Sequence, residues 1–221
     1  KGTTVERLTR LDIDDELRTR LLPYCRLRHG DIWEDPVAGH RVGVFDATRH
    51  EDVHKIMGGE HAKLILNDPP YNVVVGNANT ANLPKLNLSE YLQFSRAWVE
   101  NAIDSIDTDG HLYVWMGADY RDGFQPLPDF MLLMREFSHV FKPRNYLTVR
   151  NQRGYGTQNN WMWVRQELLY YVAGKPKFDV NAEYTDIPKI LRGYYKQVNG
   201  EITENLQRSK SENIRAGNVW V

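Results

Sequence analysis

Cysteine is nearly missing: Cys25 stands alone in 221 residues, which excludes an internal disulfide and suits a reducing compartment. A single thiol without a partner pattern is weak ground for a nucleophile. No run of about eighteen apolar residues occurs, so no membrane-spanning helix is expected. Nothing at the start of the chain reads as a signal peptide. Charge of one sign is also lacking. The net charge of −1 does not advertise nucleic-acid binding, which relies on Lys and Arg to neutralise phosphates. Repeats and low-complexity tracts are absent. So is any Gly-rich loop of the F-x-G-x-G type ahead of residue 68. What remains is ordinary for a globular protein of one domain, or one domain with a small lobe: 41% hydrophobic and 26% charged residues.

Against this plain background one tetrapeptide stands out, Asp68-Pro69-Pro70-Tyr71, directly after the apolar run Leu64-Ile65-Leu66. Proline fixes φ and has no N–H, so such a corner is stiff and its carbonyls are free to accept. The Asp68 side chain and the Pro69 carbonyl could together hold an exocyclic NH2 group while the Tyr71 ring covers the face of a planar base. Asp-Pro and Pro-Pro are also common turn formers, so the tetrapeptide alone leaves an ordinary strand-to-loop turn open.

The flanks supply context. His40 to Asp46 reads as a short strand ending in an acid, Asp46 to Met57 as a helix closed by Gly58-Gly59, and Lys63 to Asn67 as the next strand. Strand, helix and strand in succession predict a βαβ unit with a parallel sheet. Ligands of such sheets bind off the carboxyl ends of the strands, where Asp46 and Asp68 would both stand. Asp46 is equally suited to cap the helix. Apolar residues from Leu88 to Ile106 recur at spacings of three and four, which predicts an amphipathic helix capped by Asn87 or Ser89. Asp107 to Gly110 then reads as a turn and His111 to Met116 as a buried strand. Tyr146 to Val149 and Leu168 to Ala173 read as two further strands, separated by a polar, glycine-bearing stretch.

Taken with Asn218-Val219-Trp220 near the end, these four blocks resemble, in order, the DNA amino-methyltransferases that use S-adenosylmethionine. The resemblance runs from about His40 to Val221. It implies an α/β fold with a Rossmann-like methyltransferase sheet, mostly parallel with an antiparallel hairpin, plus a small recognition segment. It implies catalytic roles for Asp68, Pro69, Pro70 and Tyr71, and cofactor contacts from Asp46, Ala47, Asp68 and Pro69. Asp rather than Ser at the first catalytic position implies adenine N6 as the target. In the family an acid commonly stands just before the second strand of the hairpin, which borders the flipped base. An early catalytic corner resembles the circularly permuted beta branch, whose Gly-rich cofactor loop lies C-terminal. That loop is expected after Trp220, so the chain reads as a fragment that should bind S-adenosylmethionine poorly by itself. The expected division is residues 1–38 as an extension of unassigned role, 39–175 as the catalytic region and 176–221 as target recognition.

DNA is the partner the resemblance implies, in a bacterial or phage-encoded cytoplasmic enzyme; a homodimer and a cognate restriction enzyme are further partners to consider. Between Lys142 and Arg165 no acid interrupts the basic residues, and aromatic rings are interleaved. Such a mixture suits a phosphate track beside a stacking surface. The expected nucleic-acid contacts are Arg150, Arg153, Tyr155, Trp161 and Trp163, with Arg192 and Lys196 from a second, more diluted cluster. Trp161 and Trp163, two apart, would share one face of a strand. A solvated charged face explains either cluster equally simply. One rival pattern, His50-Glu51-Asp52-Val53-His54, matches the zinc-peptidase H-E-x-x-H, but it opens a short helix without a third ligand at recognisable spacing, and no metal is expected. Methylation of cytosine N4 or of RNA, and a noncatalytic nucleic-acid-binding module of the same fold, stay open.

Overall fold

Among the described residues the chain first reverses at a polar turn. Strands β1 (Ile32–Glu34) and β2 (Arg41–Gly43) pair antiparallel, with Trp33 opposite Val42. Asp35 builds the reversal: its side chain accepts from the Val37 N–H at 2.9 Å and its carbonyl from the Gly39 N–H at 2.9 Å. Helix α1 (His50–Met57) follows and stops at Gly58, whose left-handed φ of 61° lets its N–H bond back to the His54 carbonyl at 3.0 Å. These elements belong to one compact unit, residues 1–60, and the rest of the fold to a second, residues 61–221. The computed structural model describes residues 16, 19–20, 27–70, 86–117, 125–155, 162–178, 195–204 and 217–220, excepting the side chains of 151–155, 163, 195–198 and 202–204. Within residues 4–22, Glu16, Thr19 and Arg20 are described, and they are helical.

This corrects the predicted βαβ unit. The strand before α1 ends at Gly43, its ladder partner is β1, and the helix starts at His50 rather than Asp46. The local reason is visible. Asp46 spends its carboxylate on the N–H and hydroxyl of Thr48, which bends the chain into a turn one step ahead of the helix. Arg49 becomes the N-cap residue, with no side-chain cap bond.

The second unit is built on a five-stranded sheet. Its strands are β3 (Ala62–Asn67), β4 (Ile106–Met116), β5 (Lys142–Tyr155), β6 (Trp163–Val172) and, after the hairpin β7 (Tyr195–Val198) and β8 (Glu201–Glu204), β9 (Val219–Trp220). The order across the sheet is β3-β4-β6-β5-β9. β3 runs parallel to β4 and β9 parallel to β5, while β6 is antiparallel to both of its neighbours. The α/β class and the antiparallel hairpin are as expected. The parallel share is smaller than expected among the described strands, because β6 folds back into the slot beside β4 and so contributes two antiparallel ladders.

Helix α2 (Leu88–Ser105) makes the crossover between β3 and β4. Asn87 caps it in a reciprocal box: its side chain accepts from the Glu90 N–H at 3.0 Å, and the Glu90 carboxylate accepts from the Asn87 N–H at 2.8 Å. Helix α3 (Pro126–Leu133) starts on a proline, whose missing N–H costs nothing in the first turn. The core lies on the sheet face these helices cover. Leu112, Val114 and Met116 of β4 alternate inward and meet Leu169 and Tyr171 of β6, Trp98, Val99 and Ala102 of α2, and Phe130 and Leu133 of α3. The Trp98 and Phe130 rings stack at 5.4 Å. Each large side chain so buried contributes about 1.5–3 kcal/mol. On the other face Tyr113 and Tyr170 stack at 4.4 Å.

The turn predicted at Asp107–Gly110 is absorbed into β4 as an irregularity. Ala62 pairs with Ile106, but the next partner pair is Leu64 with His111, so the extra residues loop out of the ladder. Gly110 and Ala173 exchange backbone bonds at 2.9 and 3.2 Å to hold the loop. Gly174 closes β6 at φ 57°, where a Cβ would run into the Thr108 carbonyl. Asn87→Ala should lower stability by about 1 kcal/mol, read by urea unfolding with an unchanged m-value, since it removes one arm of the capping box.

Candidate active site at the carboxyl end of β3

Parallel pairing puts the carboxyl ends of β3 and β4 on one edge of the sheet. Asn67 is level with Val114, so the chain leaves β3 as Asp68-Pro69-Pro70 beside the last residues of β4. Asp68 and Pro70 are exposed and Pro69 is half-buried. An exposed carboxylate on a proline-stiffened exit can meet a ligand, as a buried one could not. Tyr71, the ring expected to cover the base, lies outside the described residues.

Asp46 and Ala47 belong to the residue 1–60 unit, Asp68 to Pro70 to the other. Asp46 is exposed. Its Oδ1 accepts from the Thr48 hydroxyl at 2.7 Å and from the Thr48 N–H at 2.9 Å, and its own N–H donates to Asp52 Oδ2 at 3.0 Å. The Thr48 hydroxyl, then the Thr48 N–H, hold its carboxyl below the ordinary value of 3.8. The turn thus carries a firmly ionised acid, with exposed Ala47 at its tip.

The basic–aromatic stretch forms the β5–β6 hairpin. Arg150 is exposed and sits directly opposite Arg165. Tyr155 and Trp163 are also cross-strand partners, and Arg153 lies on β5, but the side chains of these three fall outside the description. Trp161 and Arg192 lie outside the described residues. The backbone of Lys196 pairs with Thr203 in the β7–β8 hairpin. Val219-Trp220 forms the edge of the described sheet as β9, with Asn218 directly before it. The Thr148 N–H donates to the Asn218 carbonyl at 2.8 Å, and Asn218 Nδ2 donates to the Tyr146 carbonyl at 3.3 Å.

Glu167 is the residue whose importance the sequence hides. An acid was expected just before the second hairpin strand; Glu167 lies within β6 and is 2% exposed. It stands opposite Met116 on one side and Thr148 on the other, at the same sheet edge as the end of β4. The Thr148 hydroxyl donates to Oε2 at 2.7 Å, and the Arg165 Nε lies 3.3 Å from Oε1. A clue was available in sequence: a single acid wedged between Arg165 and an apolar run has to be either exposed or paired.

The rival His50-Glu51-Asp52-Val53-His54 pattern does form helix, and the two imidazoles stack face to face at 5.9 Å. Among the described residues no group of three or more His, Cys, Asp or Glu side chains gathers as a metal site. No helix among them is long and apolar enough to cross a membrane.

A strand pair ending in an acid–proline corner, flanked by an antiparallel hairpin inserted into the same sheet, defines an α/β protein of the methyltransferase type. The DNA methylase family, comprising N6 and N4 methyltransferases, matches residues 62–221, and the chain belongs to that family. It is similar to the type II methyltransferase M.HpaI of Haemophilus parainfluenzae, 26% identical over 136 residues, which make up 62% of this chain and 40% of that protein. The chain therefore spans about two fifths of the length of this relative. Among solved structures, M1.HpyAVI aligns at 14% identity and a TM-score of 0.41, over 64% of this chain and 59% of that one. PvuII DNA methyltransferase (cytosine-N4-specific) aligns at 14% and 0.42, over 57% and 48%.

Because the folded pKa of Asp46 is depressed, its stabilising contribution is present above 3.8 and is lost as pH falls through the lower folded value. The melting-temperature difference between the wild type and Asp46→Asn should be present near neutral pH and shrink below 3.8.

Proposed function

We propose that this chain carries the catalytic corner of an S-adenosylmethionine-dependent DNA methyltransferase acting on adenine N6. The observation that supports this most is the exposed Asp68-Pro69-Pro70 exit at the carboxyl end of β3, within the segment that belongs to the DNA methylase family. Adenine N6 is a poor nucleophile because its lone pair is delocalised into the ring. The Asp68 carboxylate and the Pro69 carbonyl accept the two N6 hydrogens, which favours a pyramidal nitrogen and stabilises the positive charge that develops on it. Such preorganised electrostatic stabilisation is worth on the order of 100-fold in rate for each partner. The prolines keep both acceptors in place before the substrate arrives, so little reorganisation is needed during reaction.

The residues fit the donor. When bound, the donor would supply an electrophilic methyl group: the C–N bond to N6 would form in line as the S–CH3 bond breaks, the neutral thioether would leave, and the surplus N6 proton would pass to water. On this reading Asp68 and Pro69 would hold the amine towards the methyl group of the donor. Neither reactant can approach inside a duplex, so the base is extruded, at a cost of a few kcal/mol. Residues 176–221, with the β7–β8 hairpin, serve in target recognition, and Arg150 of the β5–β6 hairpin contacts the phosphate backbone. The Asp at position 68 is the reason for choosing adenine over cytosine.

Asp68→Ala should cut methyl transfer by at least about 100-fold in the intact protein while leaving its circular dichroism unchanged. The assay is tritiated methyl transfer to duplex DNA followed by nucleoside analysis. An active Asp68→Ala protein, or label recovered on cytosine N4, would refute the adenine assignment.

A further inference from the structure

Arg150 and Arg165 face each other across the β5–β6 ladder. Residues directly opposite on antiparallel strands have Cβ atoms about 4.5–5.5 Å apart, and like charges there are destabilising. Nothing else in the hairpin relieves this, since no acid lies between Lys142 and Arg165. Among the described residues of the hairpin, the carboxylate that meets this pair is that of Glu167, two residues along β6 and therefore on the same face. It is buried and engages the Arg165 Nε at 3.3 Å, while its second oxygen is occupied by the Thr148 hydroxyl at 2.7 Å.

The charge balance is informative. Two guanidinium groups and one carboxylate leave a single positive charge at the exposed end of the hairpin face, and the Arg165 side chain is 61% exposed. Nε is one of five N–H donors of an arginine, so its pairing with Glu167 leaves the terminal donors for a ligand. A phosphodiester carries one negative charge and matches the planar fork of an arginine. Its arrival would neutralise the group and remove the repulsion between the two arginines.

We infer that Arg150 and Arg165 grip one and the same backbone phosphate of the nucleic-acid substrate, with Glu167 as a positioning residue that holds Arg165 to the ladder. The inference rests on the nucleic-acid reading proposed above and extends it to Arg165 and Glu167. Glu167 does not touch the phosphate. It acts by fixing one of the two forks, and Thr148 fixes Glu167.

The test is binding of a fluorescein-labelled DNA duplex of mixed sequence across a salt series, with the wild type, Arg150→Gln, Arg165→Gln, the double variant and Glu167→Gln. A shared phosphate predicts that the slope of log K against log salt falls by about 0.9 in the double variant, and that the two single losses in affinity exceed the double loss when multiplied. A fall of about 1.8 with multiplicative losses means two separate phosphates, and an unchanged slope means none; either overturns the clamp. Glu167→Gln keeps an acceptor for Thr148 but adds net positive charge, so simple attraction predicts tighter binding. Positioning predicts binding weakened several-fold, and tighter binding would overturn the role of Glu167. Both arginines are exposed, so their variants carry the test even if Glu167→Gln does not fold. The two readings fail separately. With every variant made in the intact protein, a wild type that binds and methylates DNA with insensitive variants removes the clamp alone; a shared phosphate without methyl transfer removes the catalytic assignment alone; no duplex binding by the wild type removes both.

Discussion

Parallel pairing of β3 with β4 is the constraint from which the rest of the second unit follows. Two parallel neighbours cannot be joined by a tight turn, so the chain needs a crossover, and α2 supplies it. The crossover helix must bury its apolar stripe, which places Trp98, Val99 and Ala102 on the sheet face lined by Leu112, Val114 and Met116. The same pairing sends the carboxyl ends of both strands to one edge. Asp68 therefore emerges at an edge where the backbone has stopped pairing along β3 and a ligand can approach.

Along the covered face the chemistry changes from apolar to charged within a few residues. Tyr171 and Leu112, then Leu169 and Val114, form an ordinary core, and the next row brings Met116, Glu167 and Thr148 together. A carboxylate removed from water is costly, by several kcal/mol even after relaxation, unless its oxygens are individually satisfied. Here one oxygen is bonded to a hydroxyl and the other faces a guanidinium. Thr148 also joins the edge strand β9 through its N–H, so a single residue ties the buried acid to the Asn218 segment. The next row among the described side chains is the opposed pair Arg150 and Arg165, so the core gives way to a charged surface along one ladder.

Where local signals agreed with one another, the sequence was readable. The period of α2, its Asn87-x-x-Glu90 box and the run from His111 to Met116 each pointed to the element that forms. Where a short segment could satisfy itself in two ways, the reading failed. Arg41 to Asp46 has strand-forming residues, but a three-residue strand has too few ladder bonds to dictate its partner, and the adjacent β1 reaches it through a tight turn. Asp46 similarly had two local uses, as helix cap or as turn acceptor, and Thr48 two residues on decided for the turn. The family match begins at residue 62, after this part of the chain.

The sequence by itself determined the acid–proline corner, the helix that follows it and the strand from His111 to Met116, because those depend on neighbours along the chain: a fixed φ, a missing N–H, a cap three residues away. Only the tertiary structure decided that β6 lies between β4 and β5, and hence that Glu167 is buried and Arg150 faces Arg165. Those facts follow from strand order and register, in which residues distant along the chain are set side by side, and no local periodicity encodes them.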